Sequence, residues 1–377
     1  MLTNSSAEPL ILGVDIGYGN VKVYGSQHRG AEVPQQFHFP ALAVPCDELA
    51  ESGTNFLQAH QVKRMCVDDI EYFVGPDAPR LSFRRLSPQL DRAYSTSREY
   101  FALGLGALAR SGLAELDILA LGLPAMYSDH TELVEGLKTR FTGTHEVAGR
   151  RIVVKAVNVY SQPVGGMASL AYTKGLMQSL RSKRVLVIDP GFNTVDWTVV
   201  DHGRVVRTAK DSTRDGGMAA FLRDLKGRLE RAHQKLSIST LYELDEALRG
   251  ERNLRDDDGV TVDVRPFVER SMATWETPLN DLVSTLGSLG KFDIVFVVGG
   301  AAATFRQALA ARYPKVQVAN NEAPPILAIA TGFYVLARHD YLRSAEANGS
   351  LPARQPRGSV PAASTRQTTG GRELAHA

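Results

Sequence analysis

The sequence predicts an α/β fold built from two related halves. Apolar runs of strand length alternate with longer segments of helical period along most of the chain. Two short runs rich in Asp, Gly and Asn each lie between a pair of apolar runs, one near the N-terminus and one near the middle. The order of strands and helices after the first run repeats after the second. A chain of 377 residues is long enough for two domains with full cores.

The first half begins with a predicted hairpin. Leu10–Val14 and Val21–Tyr24 are apolar, and between them lies the run Asp15-Ile-Gly-Tyr-Gly-Asn-Val-Lys22, whose Gly and Asn residues favour a tight turn. Residues 26–95 suggest short strands and loops without a strong period. The following pattern predicts, in order, a helix at Tyr100–Arg110, a strand at Leu116–Leu121, a helix at Asp129–Phe141, a strand at Ile152–Val159 and a helix from Ser161 to Tyr172.

The second half repeats this plan. Val185–Ile188 and Val195–Val200 flank the run Asp189-Pro-Gly-Phe-Asn-Thr-Val-Asp196, which predicts a second hairpin. Residues from about 237 to 290 are predicted to form a small insert. The remaining predicted elements are a third strand at Val205–Thr208, a helix that starts at Asp215 and carries an apolar stripe, a strand at Asp293–Val298, a turn at Gly299-Gly300, a helix at Ala302–Tyr313 and a last helix at Pro325–Leu336.

Composition excludes several classes of protein. Apolar residues make up 44% and charged residues 22%, which is ordinary for a globular protein. No stretch approaches the roughly 18 uncharged apolar residues that a membrane span needs, and the N-terminus does not resemble a signal peptide. Cys46 and Cys66 lie 20 residues apart without paired CxxC spacing, so the sequence indicates neither a zinc site nor a disulfide framework. We therefore expect a cytoplasmic protein without membrane association.

The net charge is concentrated at the C-terminus. Residues 344–377 contain four Arg and two Glu, so 4 − 2 accounts for the whole formal charge of +2 and the body is neutral. This segment is rich in Ser, Pro, Gly, Ala and Thr and holds few large aliphatic residues, so we expect residues 338–377 to form a disordered tail. A neutral body offers no basic groove, and direct DNA binding is therefore not expected.

The two Asp–Gly runs point to phosphate and metal chemistry. In each, a carboxylate ends the first strand, and glycine lets the turn backbone approach a ligand closely. Two copies facing each other would form a pair of phosphate clamps, each with an aspartate, Asp15 or Asp189, directed at one metal ion. The chain contains no GxxxxGK[ST] motif and no GxGxxG that opens a helix, so other nucleotide-binding folds lack support.

These motifs resemble those of the actin, Hsp70 and sugar-kinase superfamily of ATPases. The resemblance is greatest to bacterial plasmid-segregation proteins of the ParM/StbA type, including protein D of the PRTRC plasmid system. The matching segments, in chain order, are Asp15–Lys22 (phosphate-1), Gly122–Pro124, Ser161–Gly166 (first connecting helix), Asp189–Asp196 (phosphate-2), Val297–Ala302 (adenosine) and Ile329–Tyr334 (second connecting helix).

The resemblance implies an actin-like, ribonuclease H-like fold with duplicated domains and a nucleotide in the cleft between them. Domain I would span residues 1–162 and domain II residues 163–337. The helix at residues 325–337 would return to domain I, and residues 338–377 would form the tail.

The resemblance also assigns roles to individual residues. Asp15 and Asp189 would hold Mg²⁺, mainly through waters, and both count as catalytic. Gln162 would orient the attacking water as an uncharged amide, which suits slow hydrolysis; some relatives carry Glu here. The predicted nucleotide-binding residues are Gly17, Tyr18, Gly19, Asn20 and Lys22 on one side of the phosphates, Gly191, Phe192, Asn193 and Thr194 on the other, Gly299, Gly300 and Ala301 at the adenine and ribose, and Gly216 and Gly217 opposite them.

By this resemblance the chain is an ATPase that binds ATP or ADP with Mg²⁺, forms filaments with copies of itself and segregates plasmids through a DNA-binding adaptor protein. Two alternatives stay open. One is a small-molecule kinase, which needs an aspartate base; Asp91 and Asp129 are the candidates. The other is an ATP-switched scaffold that does not polymerise.

Overall fold

The computed structural model describes residues 8–48, 61–81, 94–173, 175–176, 178–213, 216–316, 318–319 and 325–348. Its contacts divide the chain into two units, Met1–Asp340 and Tyr341–Ala377. All the sheets below lie in the first unit. Among the described residues, no helix is both long enough and apolar enough to cross a membrane.

The strands are β1 (Ile11–Ile16), β2 (Asn20–Gly25), β3 (Gln35–Pro40), β4 (Ala43–Pro45), β5 (Lys63–Val67), β6 (Ile70–Val74), β7 (Glu115–Leu116), β8 (Ile118–Leu123), β9 (Gly143–Val147), β10 (Arg150–Val154), β11 (Val157–Ser161), β12 (Arg184–Pro190), β13 (Val195–Asp201), β14 (Arg204–Thr213), β15 (Leu254–Arg255), β16 (Thr261–Val262), β17 (Ile294–Val297) and β18 (Val318–Ala319).

The α-helices are α1 (Ala78–Leu81), α2 (Arg98–Ser111), α3 (Thr131–Phe141), α4 (Gln162–Thr173), α5 (Met218–Ala232), α6 (Leu241–Leu248), α7 (Arg265–Ser271), α8 (Glu276–Leu286), α9 (Ala302–Arg312) and α10 (Ala328–Ala347). Short 3₁₀ turns occur at Cys46–Glu48, Tyr94–Thr96, Ser179–Ser182, Met272–Trp275, Leu289–Lys291 and Pro325–Leu327.

Two five-stranded sheets have the same strand order. The first runs β3-β2-β1-β8-β11 and the second β14-β13-β12-β17-β18. In both, the first three strands along the chain pair antiparallel, and the last two add in parallel. Each sheet packs against its own apolar core. The predicted repetition of one α/β plan is therefore present in the structure.

Smaller sheets lie outside these two. Strands β4, β6 and β5 form one within the region predicted to hold short strands, and β7, β10 and β9 form another. The predicted insert at residues 237–290 contains α6, α7, α8 and the two-stranded ladder of β15 and β16. The insert is thus an ordered layer beside the second sheet.

The prediction of one continuous strand at Ile152–Val159 is wrong, because the structure has two strands there. β10 ends at Val154 and pairs with β9 and β7, whereas β11 begins at Val157 and pairs with β8 in the first main sheet. Lys155 lies between them, and its backbone N–H donates to the carbonyl of Leu116. The chain therefore changes sheets within a run that is apolar except for Lys155 and Asn158.

The last helix is longer than predicted. It extends to Ala347 rather than Leu336, so residues 338–347 are helical and the predicted start of a disordered tail at residue 338 is wrong. The first turn of this extension has partners in the body: Arg338 pairs with Glu8, and the Tyr160 hydroxyl donates to Asp340. The rest of the predicted tail, residues 349–377, lies outside the described residues, as does Asp91.

Helices α4 and α10 meet through glycine. A Cβ atom on Gly332 would lie 1.7 Å from the carbonyl oxygen of Gly165, so the two backbones touch here. α10 also contacts the first sheet, since a Cβ on Gly13 would lie 2.2 Å from the carbonyl oxygen of Ala330. Only a residue without a side chain permits such approach. This contact fixes how the two connecting helices lie against the sheets.

In each main sheet, a backbone N–H beside one strand donates to the carboxylate of an aspartate beside the neighbouring parallel strand, and we call this contact the aspartate clasp. The backbone N–H of Leu10, beside the start of β1, donates to Asp117 at the start of β8. In the second half, the N–H of Arg184 donates to Asp293 beside β17. Burial pushes the pKa of Asp117 up, but hydrogen bonds from Lys155, Arg29 and Leu10 outweigh it and lower the pKa to about 2.

We expect Gly332→Ala to lower the free energy of unfolding by about 3 kcal/mol or more, because its methyl group would overlap the Gly165 carbonyl. The matched control is Gly136→Ala, at an exposed position of α3 with open space around it, which should raise stability by about 0.5–1 kcal/mol. Urea denaturation followed by circular dichroism measures both. Equal effects of the two substitutions would contradict the glycine contact.

We expect Asp117→Asn to lower the free energy of unfolding at pH 7 by about 1–2 kcal/mol, since the ion pairs with Arg29 and Lys155 are lost. The pKa of Asp117 is depressed in the folded chain, so this stabilisation exists above its unfolded pKa and disappears as pH falls from about 4 towards 2. Denaturation at pH 7, 4 and 3 measures it, with surface Glu135→Gln as the control. A difference independent of pH would refute the assignment.

Candidate functional site

The two Asp–Gly turns line one cleft in the first unit, together with residues from both halves. We call residues 17–19 the first turn and residues 191–194 the second turn. They touch directly, because a Cβ atom on Gly19 would lie 2.7 Å from the ring of Phe192. The predicted site residues that line this cleft are Asp15, Gly17, Tyr18, Gly19, Asn20, Lys22, Gln162, Asp189, Gly191, Phe192, Thr194, Gly299, Gly300 and Ala301.

Both turns are closed by the same hydrogen bond. The N–H of Gly17 donates to the carbonyl of Asn20 at 3.1 Å, and the N–H of Gly191 donates to that of Thr194 at 2.8 Å. These two amides therefore shape the turns, which differs from the expectation that they face a phosphate. The backbone that can approach a ligand is therefore that of the residues at the tips of the two turns.

Asp15 is enclosed by two donors. It is 1% exposed at the end of β1. The Lys22 ammonium donates to its Oδ2 at 2.9 Å, and the Gln162 side-chain amide donates to its Oδ1 at 2.8 Å. Lys22 stands directly opposite Asp15 in the β1–β2 register, and Gln162 is the first residue of α4. Three predicted site residues thus meet through hydrogen bonds.

Asp189 occupies the equivalent place in the second half. It lies near the end of β12, is 5% exposed and faces Asp196 in the β12–β13 register. Burial raises the pKa of Asp189 well above its ordinary value, the charges of Asp196 and Asp15 raise it further, and Lys22 opposes them. The charges of Asp15, Lys22 and Asp196 therefore all act on Asp189.

Asp196 was quoted within the second motif but not predicted as a site residue. It is 3% exposed and lines the cleft. The Thr194 hydroxyl donates to its Oδ2 at 2.7 Å, and its buried Oδ1 has no hydrogen-bond partner among the described residues. Burial raises the pKa of Asp196 to about 6, although the neighbouring hydroxyls of Thr194 and Ser212 oppose the shift.

Gly299 packs against the Asp189 carboxylate. It has φ of 89°, in the left-handed region, and a Cβ atom there would lie 2.1 Å from Asp189 Oδ1. Its neighbour Gly300 has open space on that side. The N–H of Ala301 donates to the carbonyl of Pro190 at 3.3 Å and so links the turn at residues 299–300 to the end of β12, just before the second turn.

Gly216 and Gly217 do not line the cleft, in contrast to the prediction that they face a nucleoside. They lie behind the second turn, where a Cβ on Gly217 would be 2.6 Å from the carbonyl carbon of Asn193. Asn193 is also outside the cleft lining. The N–H groups at the start of α5 donate to the second turn: Gly217 to Asn193, Met218 to Gly191 and Ala219 to Phe192. These glycines thus allow the helix to support the turn.

The opposite wall comes instead from Met218 and two residues of the insert, Asp245 and Arg249. These three line both the cleft and an adjoining groove, which we call the side groove and which also reaches Gly300 and Ala301. Asp245 and Arg249 form an ion pair one turn apart at the end of α6. Their i,i+4 spacing was the only sequence signal for them.

Beside the predicted Tyr18, three tyrosines that the sequence analysis missed form another part of the wall. The rings of Tyr18 and Tyr94 stack with centroids 4.6 Å apart, and the Tyr94 hydroxyl donates to the carbonyl of Gly17 at 3.2 Å. Tyr100 and Tyr127 also line the cleft. The first turn is therefore supported from the side by an aromatic layer.

Asp129, a candidate base for a kinase, does not line the cleft. Its carboxylate accepts a hydrogen bond from the Lys210 ammonium at 2.6 Å, and Lys210 belongs to β14 in the other half. Asp129 thus forms a bridge between the halves. The other candidate, Asp91, lies outside the described residues.

Residues 13–165 match a family model described as the N-terminal domain of actin-like proteins. This segment contains β1 to β11 and the first turn. No curated protein sequence matches the chain.

Solved structures match nearly the whole chain. Ta0583, an archaeal actin homologue, is 18% identical with a TM-score of 0.68, covering 88% of this chain and 99% of its own. Actin-like protein Alp7A is 18% identical with a TM-score of 0.66, covering 90% and 98%. A 15-stranded ParM filament from Clostridium botulinum is 18% identical with a TM-score of 0.64, covering 88% and 99%. The predicted actin-like fold is confirmed, and the chain shares it with ParM-type and other actin-like structures.

We expect Gly299→Ala to lower the free energy of unfolding by at least about 2 kcal/mol, because alanine is strained at this φ and its methyl group would overlap Asp189. Gly300→Ala, one residue further, should change it by less than about 0.5 kcal/mol, since its Cβ would meet nothing within 4 Å. Chemical denaturation of both variants measures the difference. Tolerance of alanine at Gly299 would contradict the described packing.

Proposed function

We propose that this actin-like protein binds ATP or ADP with Mg²⁺ in the cleft between domain I (residues 1–162) and domain II (residues 163–337), hydrolyses ATP and assembles into filaments that segregate plasmid DNA. One observation carries the proposal: two duplicated turns face each other across one cleft and bring Asp15, Lys22, Gln162 and Asp189 together. Acidic and basic groups around glycine turns are the arrangement that phosphate and its metal require.

The cleft residues fit a magnesium nucleotide. Among the described residues, no cluster of three or more His, Cys, Asp or Glu side chains could hold a metal alone. Mg²⁺ needs no such cluster, because it binds one or two carboxylates, phosphate oxygens and waters. Asp15 and Asp189 are buried carboxylates in the same cleft. When bound, the ion would neutralise charge on the β- and γ-phosphates.

The chain's own groups would orient the reaction. The Lys22 ammonium and the backbone at Tyr18 and Gly19 would hold phosphate oxygens from the first turn, and Phe192 and Thr194 would do so from the second. The Gln162 amide, fixed by its hydrogen bond to Asp15, would orient a water towards the γ-phosphate. Attack of that water at phosphorus releases inorganic phosphate and leaves ADP. A neutral amide positions water without removing its proton strongly, which suits slow hydrolysis.

The nucleoside would extend from the cleft into the side groove. Gly300 and Ala301 would lie on one side of it, where the absence of large side chains leaves space. Met218, Asp245 and Arg249 would face it from the other side and take the place predicted for Gly216 and Gly217.

Filament formation and plasmid segregation rest on likeness of fold. One solved relative is a ParM filament and another, Ta0583, is an actin homologue crystallised with ADP. We extend both properties to this chain: self-association into filaments, in the cytoplasm, with a DNA-binding adaptor protein as partner. The kinase alternative is not favoured, because Asp129 is paired with Lys210 and lies outside the cleft lining.

Phosphate release and light scattering, measured together after addition of Mg²⁺ and ATP without any acceptor substrate, test the proposal. We expect both signals to rise. Phosphate release without scattering would favour a non-polymerising scaffold, and the absence of both would contradict the proposed function.

In the same assay, Gln162→Ala should slow phosphate release by roughly ten- to a thousandfold, because the attacking water loses its donor or acceptor. Nucleotide affinity should not change, and filaments should last longer in ATP. The control is Gln307→Ala, an exposed amide on α9. A Gln162 variant that hydrolyses ATP at the parent rate would remove this residue from the mechanism.

A further inference from the structure

We propose that the contact between His38 of β3 and Glu251 of the insert, which we call the latch, holds the cleft closed and controls how fast the bound nucleotide leaves it. This inference rests on the proposed function, because it assumes a nucleotide in the cleft. It assigns a regulatory role to two residues that lie outside the cleft lining.

The first observation is a row of charged and titratable side chains across the first sheet. Asp15 stands opposite Lys22 in the β1–β2 register, and Lys22 stands opposite His38 in the β2–β3 register. Residues directly opposite one another in an antiparallel sheet share a face. The row therefore leads along one face of the sheet from the cleft, which Asp15 and Lys22 line, to His38.

The second observation is that the insert continues this row from the other half. Nε2 of His38 lies 3.7 Å from Oε1 of Glu251. Glu251 accepts hydrogen bonds from Nε and Nη2 of Arg249, at 3.0 Å each, and Arg249 also pairs with Asp245. Arg249 and Asp245 line the cleft. Both ends of the row thus reach the same cleft, and the row passes from one half to the other at the latch.

The two partners of the latch belong to separately packed halves. Phe39, next to His38, lies in the core of the first sheet. Leu244 and Leu254, which precede and follow Glu251, lie in the core of the second. A separation of the halves at this edge therefore breaks the latch without disturbing either core. Because Glu251 also holds Arg249, the same event changes the support of a residue in the cleft wall.

The latch is weak enough to open. The side chains of His38 and Glu251 are 29% and 41% exposed, and solvent screens a pair with this exposure. By contrast, the bridge between Asp129 and Lys210 is 2.6 Å long, and its lysine is 11% exposed. A nucleotide must leave the cleft after each round of hydrolysis. A contact of moderate strength can set the rate of that release without trapping the nucleotide.

The charge of His38 sets the strength of the latch. Burial lowers the pKa of His38; the charges of Glu251 and Asp245 raise it, and those of Arg249 and Lys22 lower it. Burial would raise the pKa of Glu251, but Arg249 and His38 outweigh burial and lower it. At pH 8 the latch therefore joins a neutral imidazole to a carboxylate, and in acid it becomes an ion pair. The attraction between His38 and Glu251 thus strengthens as pH falls through the pKa of His38.

The experiment measures the release of ADP rather than turnover. The full chain is loaded with N-methylanthraniloyl-ADP and Mg²⁺, at protein concentrations where light scattering shows no assembly, and the fluorescence decrease after addition of excess ADP gives the dissociation rate. The variants are Glu251→Gln, His38→Ala and the double variant, each at pH 8 and pH 5. The matched control is Glu269→Gln, an exposed carboxylate on α7 of the same insert. Glu251→Ala replaces Glu251→Gln if the latter does not fold.

We expect Glu251→Gln to speed ADP release by about two- to threefold at pH 8 and about five- to tenfold at pH 5, and Glu269→Gln to match the parent at both. In the His38→Ala background, Glu251→Gln should have a smaller effect, and the difference between the two backgrounds should grow from pH 8 to pH 5. This comparison removes the effect of pH on other groups of the cleft, because these groups are the same in both backgrounds.

Equal effects of Glu251→Gln in both backgrounds would overturn the inference, because Glu251 would then act through Arg249 alone. So would a difference that does not grow in acid. The association rate of the probe should stay within about twofold of the parent's. A loss of affinity that comes from slower association would also overturn the inference, since it indicates a change in the cleft itself rather than in its closure.

The outcome also separates this inference from the proposed function. If the parent chain does not bind the ADP probe, the proposed nucleotide function fails and the inference with it. If the parent binds the probe and every variant releases it at the parent's rate, only the latch fails.

Discussion

The structure depends on a contact between backbones that only glycine allows. Gly165 on α4 and Gly332 on α10 bring the two connecting helices together without side chains between them. The same helices reach both halves, because Gly166 packs on Val298 beside β17 and Gly13 of β1 packs on α10. Since the helices cannot separate without losing these contacts, the ends of both sheets are held towards one cleft. The two turns therefore face each other because of how the helices pack as much as because of their own sequences.

Within that frame, the duplicated hairpins are similar in shape and opposite in charge balance. The first pairs its aspartate with Lys22, and the second sets its aspartate beside Asp196. A symmetrical backbone thus carries an asymmetrical set of charges, one side internally neutralised and the other acidic. The two sides of the cleft therefore present different electrostatic surroundings to a ligand bound between them.

Much of the fold was predictable because its strongest signals are local: Asp, Gly and Asn between apolar runs specify the two hairpins, and both turns line the candidate cleft. Other features depend on contacts between distant residues. Within the run Ile152–Val159, the polar residues Lys155 and Asn158 do not by themselves predict the change of sheet. Gly216 and Gly217 were read as ligand contacts, but glycine equally permits the close approach of a helix to a turn. Asp245 and Arg249 reach the cleft only through the packing of the insert, which no local pattern reveals.

The duplicated aspartate clasps have a consequence for how the chain acquires its structure. Leu10 and Asp117 are 107 residues apart, and Arg184 and Asp293 are 109 apart. Each sheet therefore gains its parallel strands only after a long loop closes, and such topologies fold slowly. The packing of the first sheet is completed even later, because the face at Gly13 is covered by α10, near the end of the described chain. The ribosome must therefore synthesise the chain as far as α10 before the first half can reach its final packing.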